Sequence, residues 1–286
     1  MRGARACARR AHASRVPKLL PLKLLALAAA LAAVLALLAR SIEARFAFFP
    51  STGELETPAD AGVAFEAATI RTRDGERLHG WFLPHPHARA LVVYFHGNGG
   101  NLSVWLPVLA AIHRQGYAVR AFDYRGYGLS SGSPSERGLY ADVEAALEWA
   151  TADDRAPTIY WGRSLGTAMA AYAATRRRPD GLVLEAGFPD AWSLVRGSPL
   201  ALLALFSSYR FPTASYARRA GCPVLVMHGD ADGVIPYALG RALFDRIPEP
   251  KRFVTIRGGD HNDASPADPD AYWSAVRAFV DALPDR

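Results

Sequence analysis

Five residues constrain the fold of this chain more than any others: Gly162-Arg163-Ser164-Leu165-Gly166. They stand between a β-type apolar run, Thr158–Trp161, and a helix-patterned run, Leu165–Arg178. A strand that turns into a helix within so few residues leaves no room for Cβ atoms two positions either side of the Ser, hence the two Gly. The Ser is lifted off the end of the strand. The N–H after it falls at a helix N-terminus, where backbone donors lack intrahelical partners.

The rest of the chain repeats the same strand-to-helix rhythm. Val63–Arg71 and Glu76–Leu83 read as strands joined by Asp74-Gly75, a hairpin signal. Leu91–Phe95, Ala118–Phe122, Thr158–Trp161, Leu182–Leu184, Pro223–Met227 and Phe253–Ile256 are short apolar runs of the buried parallel type. Helical patterns cover Leu102–Gln115, Ser135–Ala150, Leu165–Arg178, Tyr237–Arg246 and Ala267–Ala282. The expected fold is therefore α/β. A mostly parallel central sheet carries helices on both faces and an antiparallel hairpin at its N-terminal edge. Residues 187–219 are too long for a simple crossover, and their LLALF core, Leu202–Phe206, predicts a small helical cap.

A Ser at such a turn becomes a nucleophile only with a base and a group that orients the base. In this arrangement both follow the Ser, acid before His. Of eight His, only His228 and His261 come later. His228 ends a strand. His261 sits in a flexible loop after the last strand and is the expected base. The acid belongs on the loop after Pro223–Met227, where Asp230 and Asp232 both qualify and Glu185, one strand earlier, is a further option. Asp232 reaches furthest into the loop and is the choice, with Asp230 tying down the turn. The oxyanion donors expected are Leu165 N–H and Asn98 N–H, the latter in the Gly-rich stretch His96-Gly97-Asn98-Gly99-Gly100-Asn101. No HExxH, CxxC, Walker or GxGxxG pattern occurs, so neither a metal nor another cofactor is expected. Two Cys, at 7 and 222, allow neither a disulfide framework nor a four-Cys zinc site.

Charge matters only once it is located. The chain has 33 Lys and Arg against 27 Asp and Glu. Seven positives and no acid fall within residues 1–23, which leaves 26 basic against 27 acidic residues for the rest. The folded part carries no basic excess, so nucleic acid is not the expected partner. Behind the tail lies Leu19–Ala39, whose last sixteen residues are uncharged. A spanning helix needs about 20 mainly apolar residues and a signal-peptide core about 7–15. With Lys23 snorkelling, 19–39 is long enough for an uncleaved anchor; the alternative is secretion after cleavage near Ala39-Arg40-Ser41. Only Arg40 and Arg45 closely follow the helix, so the tail should stay cytoplasmic and the domain face outward, into the periplasm if the cell is bacterial. The expected organisation is a basic tail at 1–18, an anchor at 19–39, a linker at 40–62 and a catalytic domain at 63–286.

HGNGGN (96–101), FDYRGYGLSSGSPSERGLYAD (122–142), GRSLGTA (162–168), HGDADGVIP (228–236) and GGDHND (258–263) together resemble the α/β-hydrolase superfamily over roughly 63–283. They look like the branch of single-pass membrane α/β-hydrolase domain-containing serine hydrolases that includes protein depalmitoylases of animal cells. The FFPS after the helix also resembles that branch. The resemblance implies Ser164 as nucleophile, Asp232 as acid and His261 as base. Thr167 departs from the small residue, often Gly, common in that branch. Cys7 stands alone where the cytoplasmic palmitoyl-protein hydrolases have a Cys-rich N-terminus, so depalmitoylation is not carried over. The expected activity is hydrolysis of a small-molecule or lipid-like carboxylic ester or thioester. Amide hydrolysis of the aminopeptidase kind, acyl transfer under a water-excluding cap and a non-catalytic binding protein remain alternatives. Asp123, Arg125 and Tyr127 are expected to be structural.

Overall fold

A computed structural model of the protein describes residues 19–150, 156–196, 201, 207–263 and 268–283, with the helical backbone alone at 19–22, 35 and 38–42. The elements in chain order are α1 (Leu19–Ala47), β1 (Phe49–Pro50), β2 (Glu66–Arg71), β3 (Arg77–Leu83), β4 (Leu91–Phe95), β5 (Gly99–Gly100), α2 (Leu102–Arg114), β6 (Ala118–Phe122) and α3 (Glu136–Ala150). After these come β7 (Thr158–Arg163), α4 (Leu165–Arg176), β8 (Gly181–Glu185), α5 (Ala191–Val195), α6 (Thr213–Ala217), β9 (Val224–Gly229), α7 (Tyr237–Asp245), β10 (Lys251–Ile256) and α8 (Pro269–Asp281).

Eight strands form one sheet in the order β10-β9-β8-β7-β4-β6-β3-β2. From β10 to β6 all pairings are parallel, while β3 pairs antiparallel with both β6 and β2. The Asp74-Gly75 hairpin therefore forms the edge, with Gly75 at φ 96° and Thr72 N–H bonded to Glu76 O. Period-two alternation explains why the parallel strands are apolar without a break. Val93 and Phe95 point into one core with Leu139 and Val143 of α3 and Met169 of α4. Val92 and Tyr94 point into the other, with Leu106 and Leu109 of α2 and Val276 and Phe279 of α8. Leu109 is fully buried; truncating such a side chain to Ala costs about 2–5 kcal/mol.

Three expectations need adjustment. The helix begins at Leu19 but continues past Ala39 to Ala47, so the first part of the 40–62 linker is helical. One side of its last turns docks on the domain: Phe48, just past the helix, is buried against Tyr209 and Phe211, and the Glu43 carboxylate accepts bonds from Ser207 Oγ and from the N–H and Oγ of Ser208. Of residues 187–219, where a cap was expected, α5 and α6 are described, whereas the Leu202–Phe206 core and the basic tail at 1–18 lie outside the described residues. Among the described residues no helix is long and apolar enough to cross a membrane. Strand limits shift by up to three residues: β2 starts at Glu66 rather than Val63, and β7 runs on to Arg163.

Candidate active site

The turn between β7 and α4 is as tight as its sequence requires. A Cβ on Gly162 would lie 2.1 Å from Gly166 O, and one on Gly166 would lie 1.9 Å from Phe95 O. Ser164 takes φ 56° and ψ −121°, a conformation that non-Gly residues rarely hold and that costs on the order of 1–3 kcal/mol. The surroundings hold it there. Ser164 N–H donates to Glu185 O at 2.9 Å, and Ser164 O accepts from Thr167 N–H at 3.0 Å and Thr167 Oγ1–H at 2.6 Å. Thr167, the departure from the resembled branch, thus fastens the elbow itself.

Ser164 Oγ lies 3.1 Å from His261 Nε2, and His261 Nδ1 lies 2.8 Å from Asp232 Oδ2. The carboxylate fixes the tautomer: Nδ1 donates to Asp232, leaving the Nε2 lone pair toward the hydroxyl. The three residues come from three separate loops at the C-terminal ends of β7, β9 and β10. Asp232 is well held. Its Oδ1 accepts from Val234 N–H (2.9 Å) and Ile235 N–H (2.7 Å). Its Oδ2 also lies 3.3 Å from Nε2 of buried His228. Burial alone would raise the Asp232 pKa. The bonds from His228, His261 and Ile235 N–H outweigh it and hold the carboxyl well below the usual range.

The other acid options sit elsewhere. Asp230 accepts from Gly258 N–H at 2.7 Å and ties the acid loop to the base loop. Glu185 is buried under the elbow and accepts from Trp161 Nε1 (3.0 Å) and Tyr272 OH (3.1 Å). Asp123 accepts from Leu102 N–H at 2.9 Å, and burial pushes its carboxyl up to about 7. Arg125 bridges Asp74 and Asp142. Tyr127 donates to the Asn98 loop, at Asn98 Oδ1 (2.9 Å) and Asn98 O (3.0 Å). Neither Leu165 N–H nor Asn98 N–H bonds to any described residue, so both are available to a ligand. The start of the Asn98 loop abuts the elbow, since Phe95 O and His96 O are the atoms nearest a Cβ on Gly166.

Three residues to which the sequence assigned no supporting role contribute here. Arg163 Nη2 donates to His261 O at 2.9 Å and Asp263 O at 2.7 Å, which clamps the base loop to the elbow. Asp260 accepts from Gly233 N–H (3.0 Å) and His261 N–H (2.7 Å), linking base and acid loops. His228 donates from Nε2 to Ile235 O at 2.9 Å and supports Asp232. A charged residue at the variable position of the elbow was the one local signal for Arg163. A cavity of about 190 Å³ lies behind the base loop, between Gln115 and Trp273, but Ser164 and His261 do not line it. Among the described residues no three His, Cys, Asp or Glu are grouped to hold a metal ion.

Comparison with known proteins agrees with this architecture. Residues 86–221 match the family described as serine aminopeptidase, S33. An uncharacterized protein of Mycobacterium tuberculosis is 35% identical over 247 residues, covering 84% of this chain and 88% of that one. The α/β hydrolase domain-containing protein aho-3 of Caenorhabditis elegans is 30% identical over 230 residues, 78% of this chain and 67% of that one. The Pyrococcus furiosus esterase Pf2001 superposes with a TM-score of 0.67 at 19% identity, covering 82% of this chain and 97% of that one. With its sheet order, its strained Ser turn and relatives matched over most of their length, the chain belongs to the α/β-hydrolase superfamily.

Proposed function

We propose that the protein is a serine hydrolase that cleaves carboxylic esters or thioesters through an acyl-enzyme. The observation that carries this reading is the unbroken chain from Ser164 Oγ through His261 to Asp232, at 3.1 and 2.8 Å. His261 Nε2 takes the Ser164 proton as Oγ attacks the acyl carbonyl. Asp232 stabilises the imidazolium that forms. The negative oxygen of the tetrahedral intermediate accepts from Leu165 and Asn98 N–H, each oxyanion donor being worth about 10²–10³ in kcat. The intermediate collapses, the acyl–O or acyl–S bond breaks, and His261 returns the proton to the leaving alcohol or thiol. Water then attacks the acyl-Ser164 ester with His261 as base and releases the acid.

The N-terminal helix supports attachment to a membrane. Leu24, Leu25, Leu27, Leu31, Val34 and Leu37 are all more than half exposed and look outward in several directions around α1. A helix apolar on every side is buried in protein or in lipid, and no described residue covers these side chains. The charge asymmetry at the ends of its apolar stretch, seven positives within residues 1–23 against Arg40 and Arg45 beyond Ala39, favours a domain outside the cytoplasm.

A fluorophosphonate probe should label Ser164 in the full-length protein, and Ser164→Ala should remove the label. A panel of acyl esters, acyl thioesters and aminoacyl amides then sorts the chemistry. The family described as serine aminopeptidase makes amide cleavage the reading to separate; turnover of amides alone would replace the ester assignment. Alkaline phosphatase fused after residue 60 should be active, and green fluorescent protein at the same place dark. The reverse pattern would put the enzyme on the cytoplasmic face.

A further inference from the structure

The residues ahead of the hydrolase domain are built into one side of its site. β1 pairs in parallel with β5, Phe49 opposite Gly99 and Pro50 opposite Gly100. Ser51 N–H donates to Gly100 O at 2.9 Å, and Asn101 Nδ2 donates to Gly53 O at 2.8 Å. One residue joins this seam to the reacting centre. The side chain of Asn98 donates from Nδ2 to Ala47 O, the last carbonyl of α1, at 2.7 Å, while its Oδ1 accepts from Tyr127 OH at 2.9 Å. Both polar ends of the amide are therefore committed, and they set the peptide whose N–H stays free. The α1 end is itself pinned, by Glu43 on Ser207 and Ser208 and by Phe48 in its aromatic pocket.

We propose that the Asn98 side chain is a positioning group that locks the oxyanion loop to the end of α1, so that residues 43–53 are part of the catalytic machinery and not only a tether. This rests on the serine-hydrolase reading, in which Asn98 N–H meets the oxyanion. The physical reason is geometric. A Gly-rich loop has many backbone states, and an oxyanion donor acts only when held within a few tenths of an ångström of its target. The helix end supplies that restraint. Movement of α1 would be felt at the reacting carbonyl.

The test uses the full-length protein in detergent with an activated acyl ester. Asn98→Ala removes both side-chain bonds, Asn98→Asp keeps the acceptor for Tyr127 and loses the donor to Ala47, and Tyr127→Phe leaves Asn98 intact. The expected result for Asn98→Ala and Asn98→Asp is a kcat lower by about 10–100-fold with KM within about twofold, less than or equal to the loss of a whole oxyanion donor. Affinity for a trifluoromethyl ketone, whose Ser adduct carries the oxyanion, should fall by the same factor. Tyr127→Phe should lower kcat by about 3–10-fold, the worth of one hydrogen bond. It also stands in should the Asn98 variants fail to fold. Unchanged kcat in Asn98→Ala, or in Tyr127→Phe where only that variant folds, overturns the proposal. So does a kcat loss without loss of ketone affinity, which would mark a structural role. Ser164→Ala separates the two levels. An enzyme that needs Ser164 but ignores Asn98 refutes only the positioning, whereas activity that survives Ser164→Ala refutes both.

Discussion

The two sides of the active site are fastened by different forces. The acid and base side is held by charged groups between residues 163 and 263. Asp232 binds His261 and His228, Asp260 spans Gly233 and His261, and Arg163 grips two carbonyls of the base loop. The oxyanion side is held by neutral contacts that reach back to residues 47–53 and across to Tyr127 and to Trp105, whose Nε1 donates to Gly99 O at 2.9 Å. Charge-assisted bonds are about twice as strong as neutral ones. Under the proposed mechanism the first side holds a group that gains charge during the reaction. Under the same mechanism the second aims dipoles that do not move. One large substitution should therefore cripple the first side, while losses on the second should be graded.

The largest effect is expected at the residue both sides serve. Ser164→Ala should reduce kcat by on the order of 10⁶-fold, as for removal of a nucleophile in other triads. Single-turnover assays of the purified variant check this, and residual acyl-enzyme formation would move the nucleophile elsewhere.

Next comes the acid. Asp232→Asn should cost about 10⁴-fold, because an amide favours the wrong imidazole tautomer. Asp230→Asn should cost less than about fivefold, since it loses one exposed contact. A reversed order would show that the loop presents Asp230 to His261 in solution. Asp232 also predicts a pH effect. Its folded pKa is depressed, so its contribution to stability is complete above the unfolded value, about pH 4, and is lost as pH falls through the folded one. Thermal midpoints of the parent should drop more steeply between pH 4 and 2 than those of Asp232→Asn. Equal slopes would contradict the ionised, hydrogen-bonded acid.

Arg163→Met should lower kcat by about 10–100-fold through a misplaced base loop. KM should change little. Combined with Asn98→Ala, its effect on kcat/KM should add in logarithm to within about 0.5 kcal/mol if the two sides are independent. A strong departure would merge them into one unit. The smallest effect is expected for Asp260→Ala, a loss of about threefold, since its carboxylate lies in water and competes with it.

Much of the fold was legible because its signals are local. β4 and β6 fall where their apolar runs fall, Leu91–Phe95 and Ala118–Phe122. Gly162 and Gly166 announce the elbow because any side chain there would strike backbone. Chain order pointed to His261 and Asp232, which the structure joins to Ser164 by hydrogen bonds, and the Gly-rich setting pointed to Asn98. The supporting contacts carry no such mark. Arg163 meets a loop about a hundred residues away, and Asn98 Nδ2 finds a carbonyl 51 residues earlier. A carbonyl belongs to every residue, so nothing in the sequence distinguishes Ala47 as a partner.

By itself, the sequence of this protein determined the layered α/β architecture, the strained Ser turn and the residue types able to do acyl chemistry. Each follows from periodicity or from steric limits acting over a few residues. Only the tertiary structure decided that α1 runs on to Ala47 and docks through Glu43 and Phe48. It also decided that His228 shares the acid and that the oxyanion loop leans on the helix end. These depend on where the packed cores leave distant segments, and hydrogen bonds of that kind form only after hydrophobic burial has set the distances.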